Sequence, residues 1–418
     1  MLLRRIHDAG QNRFVRPATT EIASSGGMWQ GKSSPAALIV NGYLYAGWVN
    51  GSTGNVELLV WPLGGSPTSI DLHAALGGVD GSPDLHDSPS LLHHSNDHLW
   101  VAYSAHDGAH PLLRRSVNTL TADPGLSGGF NTEESIGSSG SYTYCSLIQN
   151  ASGWVYLLCR NEVSGTGKLA WFYWRSDTGD WNTPPSNILE VGASGQKSPY
   201  FRAWGDGDSK IHVVATDTDR TDAHPASLYH CYMGFTGTNC DGVYASDGTE
   251  IAAYASFPID VTDGTLIGED VTVGSCDPED LVVDVDGQPV VLFSTWNGFD
   301  LTHWRQRWNG SSWEFTEVGI SGGLNNGNRY QVGACFAGGD PDRVIMAVLI
   351  AGTFELARKV WNGSAWTGGA LTHHSSVDNV TPQGIPNGRA SGYEAVYASG
   401  TYTDDQTYDV ANRVVRKP

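Results

Sequence analysis

Five polar side chains follow or precede β-rich runs of the chain, and their types suit proton transfer beside a developing negative charge: His86, His106, Tyr144, Arg160 and Tyr200. An imidazole exchanges protons near neutral pH, and a phenol does so when its pKa is depressed. A guanidinium keeps its positive charge and can stabilise negative charge as it forms. Because the chain contains 14 His and 17 Tyr, a chance grouping is the alternative interpretation.

A polar turn followed by a β-rich run recurs along the chain, as in NGYLYAGWV at 41–49, NDHLWVAYS at 96–104 and SGWVYLLCR at 152–160. Seven equivalent positions can be aligned: Leu44, Leu99, Val155, Ile211, Val290, Val344 and Tyr393. This repeat predicts an all-β fold, a seven-bladed β-propeller whose four-stranded antiparallel blades form a single closed ring. We expect one domain over residues 1–418, with an insertion near 240–275 where the repeat interval lengthens.

Other parts of each unit are also visible. A first strand precedes the turn, as in DSPSLLHH, YTYCSLIQ and KSPYFRAW, and WNGSSW at 308–313 and WNGSAW at 361–366 predict hairpins. In a two-residue Asn-Gly turn both positions need positive φ. The Asn-Gly-Ser sequences match glycosylation acceptors, but we interpret them first as turns.

Strand ends of successive blades converge on the central channel of a propeller. Residues at equivalent places in neighbouring units therefore become neighbours in space, although some 50 residues separate them in sequence. His86, Tyr144 and Tyr200 lie at or before first strands, whereas His106 and Arg160 lie at or after the ends of second strands. We expect all five on one face of the channel.

The charge balance excludes two classes of partner. The chain has 24 Lys+Arg against 44 Asp+Glu, a net charge of −20, whereas nucleic-acid binders need a basic surface. Attachment to anionic lipid is disfavoured, and no window approaches the ~18 apolar residues of a membrane span. The bias towards Asp and against Lys is typical of proteins from salt-loving hosts, or else of a GC-rich genome with Asp-rich turns.

The chain shows no secretory signal, because no apolar segment follows the arginines of MLLRRIHDAGQNRF. Either this is a mature or intracellular chain, or it leaves its host by another route, for example inside a virus particle. The location we expect is extracellular or in a virion. The six Cys lack paired spacing. Free buried thiols are the first interpretation, and a Cys231–Cys240 bridge is the alternative.

The stretch from HDSPSLLHHSNDHLWVAYSAHDG through TYCSLIQNASGWVYLLCRN to KSPYFRAWGDGDSKIHVVAT resembles the BNR-repeat-containing propellers that include ulvan lyases. The resemblance is good over residues 80–235 and architectural afterwards. It implies a seven-bladed propeller that cuts uronate-containing polysaccharide by β-elimination and requires no cofactor. The resemblance implies five catalytic residues: His86, His106, Tyr144, Arg160 and Tyr200. We also expect Lys197 and Arg202, which flank the Pro-Tyr pair, to bind substrate.

The implied chemistry fits these residue types. Removing the C5 proton of a uronate places negative charge on the adjacent carboxylate, which Arg160 can stabilise. Tyr200 or His106 would then act as the base, and His86 or Tyr144 as the acid or the group that neutralises the carboxylate.

One loop departs from the family pattern. TDTDRTDAHP at 216–225 is longer and more acidic than the compact loop of the family, near which some members hold a structural zinc. The ligand types available here for such a metal are His212, Asp217, His224, His230 and Cys231. They lack a recognisable zinc spacing. Solvated turn residues and a hydrogen-bonded core histidine are the alternative.

Other functions remain open from the sequence. Glycoside hydrolysis uses a pair of carboxylates, which this acidic chain does not single out, and no unit has a convincing sialidase box. A non-catalytic glycan- or receptor-binding virion protein is the principal alternative. The expected partner is an acidic polysaccharide or a cell-surface glycan, together with other virion proteins under that alternative. High salt, with a Debye length of roughly 3 Å at 1 M, would screen repulsion between this acidic chain and a polyanion.

Overall fold

The protein is a ring of seven antiparallel sheets, which we call blades one to seven. The computed structural model describes residues 19–23, 27–29, 32–74, 76, 83–163, 166–184, 187–191, 199–217, 226–237, 239–268, 276–323, 333–404 and 407–417. First strands of successive blades contact one another, so they line the central channel. This arrangement confirms the seven-bladed propeller predicted from the repeat.

The first three blades are formed by residues 27–190. Blade one comprises Ala37–Val40, Tyr43–Asn50, Val56–Pro62 and Thr68–His73, with Gly27–Met28 beside the second of these. Blade two comprises Ser90–His93, Leu99–Tyr103, Leu112–Arg115 and Glu134–Ser135. Blade three comprises Tyr142–Gln149, Val155–Val163 and Thr166–Trp174, with Trp181–Asn182 and Leu189–Glu190 at its outer edge.

Blade four is the most elaborate. It comprises Phe201–Gly205, Lys210–Thr216, Leu228–Thr236 and Asn239–Tyr244, with Glu250–Ala253 and Thr265–Gly268 added. Ile259–Asp260 pairs in parallel with Leu189–Glu190 and so ties this region to blade three. The insertion predicted near 240–275 lies here, with residues 269–275 outside the described part.

Blades five to seven complete the ring. Blade five comprises Cys276–Val283, Pro289–Trp296, Leu301–Trp308 and Trp313–Ile320. Blade six comprises Ala334–Phe336, Arg343–Ile350, Thr353–Trp361 and Trp366–Ala370. Blade seven comprises Asp378–Gly384, Tyr393–Asp404, Thr407–Arg416 and, as its outer strand, Thr19–Ala23. The helices are short: Leu85–Asp87, Tyr254–Ser256, Val261–Asp263, Ala337–Gly339 and Gly388–Ser391.

The first described strand, Thr19–Ala23, closes the ring. Thr19–Ala23 pairs antiparallel with the last strand, where Thr19 lies opposite Val415 and Glu21 opposite Arg413. Blade seven is thus built from both ends of the described chain. A single domain over residues 1–418 stays a prediction. The pairing of these two strands agrees with it.

The repeat positions occupy the same place in every blade. Each of the seven aligned residues is the first or second residue of the second strand of its blade. The Trp-bracketed hairpins also form, since Trp308 pairs with Trp313 and Trp361 with Trp366.

The type of these turns differs from the prediction. Four residues separate the paired Trp, and only the glycine of each Asn-Gly has positive φ, +93° at Gly310. Asn309 instead accepts hydrogen bonds on Oδ1 from the backbone N–H groups of Ser311 and Ser312, 3.0 and 2.9 Å away. An Asx turn therefore replaces the expected two-residue turn.

Apolar side chains pack mainly between blades. One core cluster joins Tyr45 and Leu58 of blade one to Leu91 and Val101 of blade two. None of the 15 Trp, all of which are described, is fully exposed. All six cysteines are free thiols, so Cys231 and Cys240 do not form the alternative bridge. Among the described residues, no helix has the length and apolarity needed to cross a membrane.

We expect Ile22→Ala to destabilise the ring, because the Ile22 side chain is buried in the core cluster where blade seven meets blade one. Truncating a buried Ile costs roughly 2–5 kcal/mol. Urea denaturation followed by Trp fluorescence measures the loss. Thr20→Ala, at a half-buried position of the same strand, is the control. A loss no larger than that of the control would show that the closing strand contributes little to stability.

Candidate active site

The five predicted residues come together at one mouth of the channel. His86 lies in the short helix Leu85–Asp87, immediately before the first strand of blade two, and His106 lies in the loop that follows the second strand. Tyr144 and Arg160 belong to the first and second strands of blade three. Tyr200 precedes the first strand of blade four. Three consecutive blades therefore supply the group.

The carboxylate of Asp84 holds the two histidines. Its Oδ1 lies 2.5 Å from His86 Nδ1, and its Oδ2 lies 3.2 Å from His106 Nδ1. The same carboxylate caps the short helix by accepting a hydrogen bond from the backbone N–H of His86. Each imidazole thus directs its Nδ1–H to Asp84, which leaves Nε2 of both rings for a ligand.

The two imidazole rings are stacked, with centroids 3.8 Å apart and planes within 8°. Two positive charges about 4 Å apart repel by roughly 4 kcal/mol at an effective dielectric constant of 20. Protonation of both rings at once is therefore opposed by this repulsion, whereas protonation of one ring is not. The protonation of the stack belongs to the pair rather than to either ring.

The pKa shifts at this carboxylate have identifiable causes. Burial alone would raise the pKa of Asp84, but the hydrogen bonds from His106 and His86 outweigh it and hold that pKa well below its usual value. Burial alone would lower the pKa of His106, whereas its hydrogen bond to Asp84 and the charge of Asp84 raise it overall. His106 therefore keeps its extra proton to a higher pH than a free histidine.

Tyr144 is placed by an unusual backbone. Its φ is +59°, in the left-handed region that a bulky residue rarely adopts, and the register of its strand shifts between Thr143 and Ser146. A bulge of this kind re-aims a side chain. The ring of Tyr144 lies 5.5 Å from that of His86 and 6.0 Å from that of Tyr200.

The guanidinium of Arg160 lies over both phenol rings, with Cζ 4.6 Å from the centroid of Tyr144 and 5.6 Å from that of Tyr200. Arg160 Nη2 is 3.1 Å from Glu162 Oε1, and Arg160 is 5% exposed. Burial opposes its charge, but the neighbouring Tyr144, Tyr200 and Glu162 oxygens raise the pKa of Arg160 overall. It is a fixed cation beside two phenols.

A second carboxyl group, Asp87, lies behind the histidines. Its Oδ1 accepts a hydrogen bond from the backbone N–H of His106 at 2.9 Å, and its Oδ2 contacts no hydrogen-bond donor among the described residues. Burial and the negative charge of Asp84 raise the pKa of Asp87 to about 8. At neutral pH most Asp87 carboxyls are therefore protonated.

Sequence reasoning missed the ion pair of Lys32 with Asp277, which lies at the same mouth. Lys32 Nζ contacts Asp277 Oδ1, donates a hydrogen bond to the Pro278 carbonyl oxygen at 2.9 Å, and lies 5.6 Å from the Tyr200 ring centroid. The sequence did contain a signal for Lys32, because the segment Lys-Ser-Ser-Pro at 32–35 is similar to His-Asp-Ser-Pro at 86–89. Lys32 thus occupies in blade one the place of His86 in blade two.

The predicted substrate-binding residues lie apart from this group or outside the described chain. Arg202 is buried in the first strand of blade four. It lines a small cavity farther along the channel with Asp280, and its charge favours the ionised form of that carboxyl. Lys197 lies outside the described residues. Substrate binding by either residue stays a prediction.

The candidate metal ligands are only partly brought together. His212 Nδ1 lies 3.1 Å from His230 Nε2, and His230 Nδ1 lies 2.8 Å from Ser246 Oγ. Burial lowers the pKa of His212 to about 4 and holds the pKa of His230 well below its usual value, so both rings are neutral. Asp217 lies beyond the strand that contains His212, where it accepts a hydrogen bond from Ser227 N–H, and His224 lies outside the described residues.

This donor set does not fit a zinc ion within the described chain. The one three-ligand group there is Asp84, His86 and His106, whose ligand atoms lie within 4.8 Å of one another. Hydrogen bonds between the Asp84 carboxylate and the two imidazoles account for that cluster. Zinc at His212 and His230 stays a prediction that needs ligands from elsewhere.

We expect Asp87→Asn to change how stability depends on pH. The folded wild type binds a proton on Asp87 between about pH 4 and 8 that the unfolded chain lacks, so stability from this group falls as pH rises through that window. The variant lacks this decline, which is roughly 1.4 kcal/mol per pH unit at most. Urea denaturation at pH 5, 6.5 and 8 measures it, with exposed Asp208→Asn as the control. Parallel pH dependences of wild type and Asp87→Asn would contradict the assignment.

We expect Asp84→Asn to lower the pKa of His106, because burial then acts without the opposing carboxylate. The expected fall is about one unit or more. NMR titration of the imidazole C–H signal, assigned with His106→Gln, measures it. Asp97→Asn, which removes the carboxylate 2.9 Å from His93 Nε2, is the matched control and leaves His106 unchanged. An unaltered His106 titration in Asp84→Asn would disprove the role given to Asp84.

Comparison with known proteins gives a family and a fold. Residues 43–320 match the family model described as BNR repeat-containing family member. A solved structure of an ulvan lyase of polysaccharide lyase family PL25, bound to -[GlcA(1-4)Rha3S]-, is similar with a TM-score of 0.70 and 13% identity over 96% of each chain.

The crystal structure of the polysaccharide lyase Uly1 is similar with a TM-score of 0.62 and 11% identity, over 96% of this chain and 99% of that one. No curated protein sequence matches the chain. At such identities the structural likeness establishes the fold. Since the family model covers most of the chain, the protein belongs to the BNR repeat-containing family.

Proposed function

We propose that this protein is a polysaccharide lyase that cleaves a uronate-containing glycan by β-elimination. The observation that carries the proposal is the grouping of a buried guanidinium, two phenols and a carboxylate-held histidine pair at one channel mouth. Support comes from the similar fold of an ulvan lyase that was solved with a glucuronate-containing oligosaccharide bound.

Arg160 is assigned to the uronate carboxylate. When the C5 proton leaves, negative charge spreads onto this carboxylate, and a fixed cation that needs no reorganisation stabilises it most effectively. A buried site strengthens that interaction, because less water screens it.

Tyr200 is assigned as the proton acceptor rather than His106. The hydrogen bond and charge of Asp84 raise the pKa of His106, which favours the protonated ring and so suits a proton donor. The Tyr200 ring instead lies beside two cations, Arg160 and Lys32. As phenolate, Tyr200 takes the C5 proton, the C5 electron pair forms the C4=C5 double bond, and the C4–O bond breaks.

The histidine pair supplies the proton that the departing oxygen needs. The side chains of His106 and His86 are 31% and 14% exposed, whereas Tyr144, Arg160 and Tyr200 are all buried. The imidazoles are the most accessible groups of the site and are therefore assigned to the glycosidic oxygen, and Tyr144 lies between His86 and Arg160. Tyr144 is assigned as a positioning residue in this scheme, and Asp84 stabilises the protonated imidazole until the proton is transferred.

We expect the wild type to generate ultraviolet absorbance from unsaturated uronate when it is incubated with a panel of uronate polysaccharides, at low and high salt. Arg160→Ala should lower kcat/KM by about 10² to 10³, the effect of removing one transition-state stabiliser. Arg175→Ala is the matched control, since Arg175 is paired with Asp177 at the opposite end of blade three.

Three outcomes distinguish the functions. Absorbance that Arg160→Ala abolishes and Arg175→Ala preserves supports elimination. Glycan binding without any absorbance change favours the non-catalytic glycan-binding alternative. If the protein neither changes the absorbance of any acidic polysaccharide in the panel nor binds to one, the proposal is overturned.

A further inference from the structure

The ion pair between Lys32 and Asp277 crosses the channel. Lys32 belongs to blade one, and its partner begins the first strand of blade five, so the pair links blades that are not neighbours in the ring. Both residues are nearly inaccessible, 3% and 2% exposed. An ion pair this deeply buried needs additional hydrogen bonds, and Pro278 supplies one through its carbonyl oxygen.

Tyr200 lies between the Lys32–Asp277 ion pair and Arg160. Lys32 Nζ is 5.6 Å from the ring centroid, and Arg160 Cζ lies at the same distance. The titratable and charged groups around the ring include Lys32, Arg160, Tyr144 and, through Lys32, Asp277. Two cations thus act on a single phenol.

We propose that Lys32 is a positioning residue that, held in place by Asp277, stabilises negative charge on the Tyr200 oxygen and so prepares this phenol to accept a proton. Opposite charges within ~4–6 Å favour the ionised form of a group. Because the ammonium itself lies over the ring, it is the member of the ion pair that acts on the phenol. The use of Tyr200 in elimination rests on the proposed function, whereas its ionisation does not.

Substituting Lys32 alone would not separate the loss of its charge near Tyr200 from a loss of fold stability. Lys32→Met alone leaves Asp277 buried without its cation, which destabilises the fold and can prevent folding. The double variant Lys32→Met/Asp277→Asn removes both charges, and Lys32→Gln/Asp277→Asn also retains polar groups across the channel. Lys32→Arg keeps the positive charge and is the matched control.

The decisive measurement is the titration of Tyr200 by NMR with ¹³C-labelled tyrosine, with its signal assigned by comparison with Tyr200→Phe. It needs no substrate, so failure of the proposed lyase activity cannot affect it. We expect Tyr200 in the wild type and in Lys32→Arg to ionise below the unperturbed value of about 10. In either double variant the titration should move upward by about one pH unit.

Two results would overturn the proposal. The first is a wild-type Tyr200 that titrates at or above pH 10, which can be observed even if no variant folds. The second is an unchanged titration in a folded double variant, which would restrict Lys32 to a structural role.

A kinetic measurement follows if lyase activity is found. The pH at which kcat/KM rises should move upward with the Tyr200 titration in the double variant and stay in place in Lys32→Arg. A loss of activity with an unshifted pH profile would indicate a structural effect alone.

Discussion

The pairing of Thr19–Ala23 with Thr407–Arg416 is the constraint on which the rest of the structure depends. A propeller blade cannot bury both of its faces alone, and each needs a neighbour on either side. Joining the two ends of the chain in one sheet gives every blade two neighbours. The channel mouth then has a fixed circumference, and side chains from blades one to five meet there at contact distances.

Charge at that mouth is balanced locally, although the chain as a whole carries −20. Asp84 accepts hydrogen bonds from two stacked imidazoles, Glu162 faces Arg160, and Asp277 faces Lys32. Arg160 and Lys32 are thus each held near a carboxylate, and both also lie over an aromatic ring. Local pairing of this kind keeps buried charges ionised, which isolated burial would not allow.

Much of the architecture could be predicted from the sequence, because every blade repeats the same turn and second strand. The grouping of the five polar residues could also be predicted, from their equivalent blade positions and from the resemblance to a known family, whereas their catalytic roles stay a prediction. The ion pair of Lys32 was missed because its partner is 245 residues away and contacts it only across the closed ring. Asp84 and Asp87 were missed because the chain has 44 acidic residues, and only the folded geometry singles these two out. The positive φ of Tyr144 has no sequence signature, as it depends on a bulge in its strand.

The equivalence of Lys-Ser-Ser-Pro at 32–35 and His-Asp-Ser-Pro at 86–89 has a consequence for how such a site changes over time. Blades one and two each present a side chain at the same point, just before the first strand, and that side chain lies at the mouth. Exchanging that residue in a single blade alters the chemistry at one point of the circle and leaves the other blades intact. In a ring of this design, substitutions in single repeats can therefore change which ligand is bound, while the fold stays the same.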